Sequence, residues 1–234
     1  AEKAAQYSDQ AIAGRSHNVP AQITTLGKRF ASAAEELLFA YERLASLQDR
    51  YPMRGIKGPV GTSQDVLDLF DNDDKKVQKL EQIVAQHLGF ENVLTSVGQI
   101  YPRSIDYETV TALVQLAGSP SNIATNVRIM SGFGLVSEGF SKDQVGSSAM
   151  PHKINARLSE RVNGLIAVLK GNAVMVQELV GNQWNEGDVS CSVVRRVALP
   201  DAFYAIDAIL DTTIRIIREL DVQTDLIAKE VHNY

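Results

Sequence analysis

Apolar residues recur at helical spacing along most of this chain, and the pattern predicts its elements. One stripe runs Ile23, Leu26, Phe30, Ala33, Leu37, Tyr41 and Leu44, in steps of three and four. At ~1.5 Å rise per residue it marks a helix face roughly three dozen ångströms long. A second helix, which Asp106 can cap, carries Val110, Leu113, Val114 and Ala117. Ser119-Pro120-Ser121 should kink it before Ile123, Val127 and Met130 continue the pattern. A third spans about Leu158 to Val180, with Val162, Leu165, Ile166, Leu169, Ala173, Val176 and Leu179 on one face. Its near-continuous apolar character around Leu165 to Leu169 points to burial on more than one side. A fourth runs through Leu220 and carries Val197, Phe203, Ile206, Leu210, Ile214 and Ile217.

Shorter elements and loops separate these. Ala1 to Ala13 reads as the tail of a helix closed by Gly14, and Arg15 to Gln22 as a polar loop whose Pro20 opens the next helix. Tyr51 to Thr62 is punctuated by Gly55, Gly58, Pro59 and Gly61. Helices follow at Ser63 to Phe70 and Asp74 to Leu88, the latter ended by Gly89 with His87 in a structural place in its last turn. Asn92 to Arg103 is a polar turn, Gly181 to Ser192 a break, and Leu226 to Tyr234 a last helical segment. No alternating strand pattern of any length competes, so the expected fold class is all-α, a long-helix bundle.

Composition narrows the function classes. With 234 residues the chain can bury a sizeable core, and its 44% hydrophobic and 22% charged content is ordinary for a soluble protein. A net charge of -5 argues against nucleic-acid binding by broad phosphate neutralisation. No apolar run approaches the ~20 residues of a membrane span, and no charged-then-apolar leader opens the chain. The single cysteine, Cys191, excludes an intramolecular disulfide and a cysteine-rich metal knuckle, and reads as a small buried side chain. A reducing, cytoplasmic setting is the simplest fit. The glycines of the 51–62 loop lack a following Gly-Lys-Ser/Thr. Gly132-Phe133-Gly134 and Gly139 miss the dinucleotide spacing, with no strand before them.

The chemistry concentrates in Gly146-Ser147-Ser148-Ala149-Met150-Pro151-His152-Lys153-Ile154-Asn155. Flexible at its start and closed to helix by Pro151, it packs hydroxyls, an imidazole, an ammonium and a carboxamide into ten residues. That suits a loop closing over an anionic small molecule, and it equally suits a polar connection between helices.

The stretch resembles the signature loop of the fumarase/aspartase superfamily, Gly-Ser-x-x-Met-x-x-Lys-x-Asn, at Gly146, Ser147, Met150, Lys153 and Asn155. Within it, Ser-Ala-Met-Pro, then an aromatic or His, then Lys, is most similar to the adenylosuccinate lyase family. Three more blocks are similar to that family in the same order. They are Ser16-His17-Asn18-Val19-Pro20-Ala21-Gln22-Ile23-Thr24-Thr25, then Gly98-Gln99 with Tyr101-Pro102-Arg103, then Gln183-Trp184 with Ser192 and Arg195-Arg196.

The resemblance implies β-elimination of fumarate from a succinylated nucleotide, with no cofactor and no metal. It makes Ser147 the base, His17 the acid, and Lys153 and Asn155 holders of the carboxylate where charge builds up. It gives Ser16, Gln99, Ser148, Met150, Arg161, Ser192 and Arg196 to substrate binding, Ser192 and Arg196 at the nucleotide phosphate. It implies a five-helix bundle per subunit, pooled by four copies into a twenty-helix core with shared active sites. Another superfamily lyase (argininosuccinate lyase, aspartase or fumarase) or a non-catalytic helical assembly module are the alternatives.

Other readings of single residues stand beside these. His17 could be a loop or capping residue, Arg157 and Arg161 a solvated face pairing with Glu160, Arg195-Arg196 a salt-bridging pair, and Trp184 packing or loop anchorage. His152 occupies a position where the family admits an aromatic. Two departures are visible. Asn185-Glu186-Gly187-Asp188 stands where other branches carry an arginine shortly after the tryptophan. The family's smaller N-terminal domain, with a second histidine, and most of its C-terminal helical domain find no counterpart. The expectation is a central-domain fragment, residues 1–234.

Overall fold

The computed structural model describes residues 1–139 and 155–233. In chain order the elements are α1 (Glu2–Gln6), β1 (Ala11–Ser16), β2 (Val19–Thr25), α2 (Leu26–Arg50), β3 (Pro52–Met53), α3 (Gln64–Leu69) and α4 (Asp74–His87). There follow β4 (Asn92–Val93), α5 (Ser104–Leu116), α6 (Gly118–Gly132), β5 (Val136–Ser137), α7 (Arg157–Gln177), α8 (Ser190–Glu219), β6 (Asp221–Val222) and α9 (Thr224–His232). The fold is all-α in class, dominated by α2, α7 and α8. Backbone contacts divide it into two units, one of Ala1–Tyr41, Val114–Leu169 and Phe203–Tyr234, the other of Glu42–Leu113 and Lys170–Ala202.

In the first unit the opening of the chain departs from expectation. The expected helix is present only as α1, and in place of its last residues and the polar loop β1 and β2 form an antiparallel hairpin, from Ala11 opposite Thr25 to Ser16 opposite Val19. Gly14 faces Gln22 and Arg15 faces Pro20, which leaves Ala21 as the extra residue of a bulge. Proline has no N–H for a ladder, so a bulge is where a strand tolerates it. A Cβ on Gly14 would sit 2.6 Å from the Gln22 carbonyl oxygen, so the two backbones meet only because glycine is there. Ile12 and Ala13 are both buried, which erases the alternation a strand usually shows.

Helix α2 therefore starts at Leu26, three residues later than its stripe suggests. Thr25 Oγ1 accepts the Lys28 N–H at 3.1 Å and caps it. In the same unit Ser119 Oγ donates to the Ala33 carbonyl at 2.6 Å. Pro120 is buried in the first turn of α6, so the expected kink appears as a break between α5 and α6. The core draws on Ile12, Leu26, Val127, Val136, Val162, Ile166, Ile209, Ile216 and Ile227.

In the second unit Asp73 caps α4 by accepting the N–H groups of Lys75 (3.1 Å) and Lys76 (3.2 Å). Past His87, the Phe90 N–H donates to the Ala85 carbonyl at 2.8 Å across Gly89, as a helix-ending glycine allows. Val110, Leu113, Val176 and Leu179 are buried here, beside Cys191. Among the described residues no helix is long and apolar enough to cross a membrane.

Candidate active site

His17 sits at the tip of the hairpin. It and Asn18 have φ of 53° and 62°, the two left-handed positions of a two-residue connection between Ser16 and Val19. Histidine and asparagine tolerate that region better than most side chains. Ser16, His17 and Asn18 are all exposed, so the strands hold an imidazole out toward solvent on a stiff support. At the root of this tip Arg15 donates to the Asn18 carbonyl at 3.0 Å and is ion-paired to Glu230 on α9. The turn is thereby tied down, and His17 is more than a loose loop residue.

The signature stretch lies largely outside the described residues, and with it Ser147, Ser148, Met150 and Lys153. The residues either side of it are described. Glu138 is buried, and its carboxylate accepts the N–H groups of Leu158 (2.9 Å) and Ser159 (2.6 Å). Those are orphan donors of the first turn of α7, where a negative charge also meets the positive end of the helix dipole. Asn155 is half-buried just before that turn, and Arg161 projects exposed from the turn after it.

In the second unit, Gln99 belongs to a loop stitched to the segment that follows Trp184. The Gln99 N–H donates to the Glu186 carbonyl at 2.9 Å. A Cβ on Gly98 would lie 2.5 Å from that same carbonyl oxygen, so glycine is what lets the two loops touch. Gln99 Oε1 lies where a Cβ on Gly187 would be 3.4 Å away. Asp188 Oδ1 then accepts the Ser190 N–H (3.1 Å) and Ser190 hydroxyl (2.7 Å), capping α8. Thus Asn185-Glu186-Gly187-Asp188, the departure noted in the sequence, docks a loop and starts a helix. Trp184 is 71% exposed, so within this chain it packs on little.

Ser192 lies in the first turn of α8, half-buried, and Arg195 and Arg196 follow one turn on. They part company. Arg195 Nε donates to Asp106 Oδ2 at 2.6 Å and Arg103 Nη1 to the same oxygen at 3.3 Å, while the Tyr101 hydroxyl donates to Asp106 Oδ1 at 2.7 Å. Both guanidinia stack on the Tyr101 ring, Arg103 at 4.3 Å from its centroid and Arg195 at 5.1 Å. Burial, reinforced by the Asp106 carboxylate, pushes the Tyr101 phenol far above its usual value. Burial pulls Arg195 down, but Asp106 and Tyr101 outweigh it and leave it raised. Asp106 is thus a buried counter-ion inside α5, correcting its reading as a helix cap. Arg196 is exposed, free of that cluster and open to an anion.

A family model described as Lyase matches residues 1–171. The chain belongs to that lyase family. It is similar to the adenylosuccinate lyase of Caenorhabditis briggsae, 37% identical over 220 residues, 94% of this chain and 46% of the relative. The Schistosoma mansoni adenylosuccinate lyase is 38% identical over 211 residues, 90% of this chain and 44% of the relative. That of Saccharomyces cerevisiae is 35% identical over 228 residues, 97% and 47%. The chain spans about half the length of the curated relatives it matches.

Of the predicted site residues of this lyase chain, Ser16, His17, Asn155 and Arg161 fall in the first unit and Gln99, Ser192 and Arg196 in the second. Ser16, His17, Gln99, Arg161 and Arg196 are exposed, and Asn155 and Ser192 half-buried. Sequence reasoning missed Arg15, Glu138 and Glu230, which position the tip and α7. A lone acid before a glycine, as in Glu138-Gly139, was the one available signal, and it is weak. Among the described residues no group of His, Cys, Asp and Glu could hold a metal ion.

Proposed function

We propose that the protein carrying this chain is an adenylosuccinate lyase, eliminating fumarate from adenylosuccinate to give AMP and from the succinyl-carboxamide ribotide to give the free carboxamide. The observation that carries this is the agreement of its relatives, adenylosuccinate lyases along at least nine-tenths of the chain. The exposed imidazole at a braced turn is the geometry such a reaction asks of its acid.

In this reading Ser147, as an alkoxide stabilised by loop N–H groups and Lys153, takes the proton from the carbon next to a succinyl carboxylate. The C–H pair first moves into that carboxylate, held as a dianion by Lys153 and Asn155. It returns as the C=C bond of fumarate while the C–N pair leaves with nitrogen, which takes a proton from His17. Arg196 and Ser192 hold the nucleotide phosphate, and Arg161, Gln99, Ser16, Ser148 and Met150 contact the rest of the substrate. No cofactor takes part. The working form is a cytoplasmic homotetramer in which each site is shared between copies. The apolar exposure of Val168, Val174, Phe203 and Tyr204 on the long helices supports burial against other subunits.

The test is the loss of adenylosuccinate absorbance against no change with argininosuccinate, aspartate or malate, run together with light scattering. Turnover of one of the other substrates in place of adenylosuccinate would overturn the reading.

A further inference from the structure

Below the hairpin tip, in the first unit, lies a cavity of about 230 Å³. Ile12, Ile129, Phe133 and Leu135 give it an apolar wall, and Arg15, Arg29 and Glu230 supply its charges. The two arginines differ. Arg15 is committed on every side, to the Asn18 carbonyl, to Glu230 and, stacked at 4.3 Å, to the Phe133 ring. Arg15 and Glu230 cancel each other. Arg29 is half-buried, and among the described residues its guanidinium donates to the Met130 sulfur at 3.3 Å. A thioether is a weak acceptor for a group with five N–H donors. Burial, then the neighbouring Arg15 charge, lowers the Arg29 pKa, with Glu230 working the other way. The surroundings thus disfavour that cation as they stand.

We propose that this cavity is a binding site for a short aliphatic monocarboxylate, held by Arg29 with its tail on the wall of Ile129, Phe133 and Leu135. Two guanidinia and one carboxylate leave a single positive charge, which one monoanion neutralises. A dianionic phosphate would place surplus negative charge beside Glu230, and an apolar wall gives it nothing. The guanidinium fork matches a carboxylate edge-on, a pairing stronger than one between neutral groups. The site is separate from the elimination chemistry proposed above, and none of the residues assigned to that chemistry holds the ligand.

Titrating the chain with sodium butyrate at constant ionic strength, and following arginine Nε–H resonances by NMR, tests this. One arginine resonance should shift saturably. Arg29→Met should abolish that shift or weaken binding at least about tenfold. Arg29→Lys, which keeps the charge and loses the fork, should bind with intermediate affinity and guards against a misfolded Arg29→Met. Inorganic phosphate should bind at least about tenfold more weakly than butyrate. His17→Gly should bind butyrate as the unaltered chain does, so the outcome is independent of the lyase assay. No saturable shift, equal response to phosphate, or undiminished binding by both Arg29 variants would overturn the proposal.

Discussion

The Glu138 carboxylate accepts the N–H of Ser159, 21 positions later in the chain, at 2.6 Å. With the second bond, to the Leu158 N–H, it joins the segment before the signature stretch to the helix after it. Glu138→Ala strips two N–H groups of their acceptor and should destabilise the fold by about 1–3 kcal/mol. Glu138→Gln, which keeps one oxygen acceptor, should cost less. Urea denaturation read by circular dichroism checks both, and equal midpoints for Ala and the unaltered residue would remove the cap from the account.

His17 offers a separation of folding from chemistry. Its φ of 53° strains most side chains and leaves glycine at ease. His17→Gly should hold or raise stability by up to about 1 kcal/mol. The same change removes the proposed acid and should lower turnover of adenylosuccinate by about 10²–10⁴-fold. His17→Ala should lose activity equally while also losing stability. Thermal midpoints beside initial rates make the comparison, and retained activity in the glycine variant would deny His17 its role.

How far the sequence discloses the fold depends on how one-sided each helix is. Along α7 and the turn after it, the predicted Val162, Ile166, Leu169, Val176 and Leu179 are buried and Leu165 and Ala173 half-buried. Val168 and Val174 on the other side are exposed, so burial on more than one side is not met within this chain. In α8 the reading found part of the buried face: Ile206 is buried, and Leu210 and Ile217 are half-buried. Val197, Phe203 and Ile214 are 50%, 52% and 47% exposed, whereas Ala198, Ala202, Ala205, Ile209 and Ile216 are buried. That helix is apolar on two sides, and alanine, which marks the close-packed side, carries little hydrophobic signal. The hairpin was hidden for another reason. Gly14 and Pro20 read as breakers, although here one permits a close backbone approach and the other sits at a bulge. At the candidate site, His17, Gln99 and Arg196 come from the family resemblance, and all three are exposed. The Asp106–Arg195 bond joins positions 89 apart, and no local pattern announces it.

The Arg50–Glu108 pair makes stability depend on acid. Arg50, by hydrogen bond and by charge, holds the Glu108 carboxyl below its usual range. A depressed folded pKa contributes stability that is present above the unfolded value, about 4.3, and is lost as pH falls through the folded value. Glu108→Gln should therefore unfold at lower urea than the unaltered chain at pH 7, and the gap should close below about pH 4. High salt at pH 7 should also narrow it, since the pair is largely exposed. A gap constant across the pH range would mean that Glu108 contributes by packing.

Adjacent arginines on α8 should respond oppositely to the same substitution. Asp106 is 2% exposed and takes its charge partners from Arg103 and Arg195, so it cannot lose them cheaply. Asp106→Asn leaves those guanidinia facing a neutral amide and should cost about 3–5 kcal/mol, as breaking a buried ion pair does. Arg195→Met should cost less, about 1–3 kcal/mol, because Arg103 and the Tyr101 hydroxyl stay on the carboxylate. Arg196 is exposed and outside the cluster, so Arg196→Met should change stability by no more than about 0.5 kcal/mol. If it holds the nucleotide phosphate, that variant should raise KM for adenylosuccinate with a smaller effect on kcat. Urea midpoints and steady-state kinetics on the three variants separate the roles. A stable, fully active Arg195→Met together with an unfolded Arg196→Met would reverse the assignment.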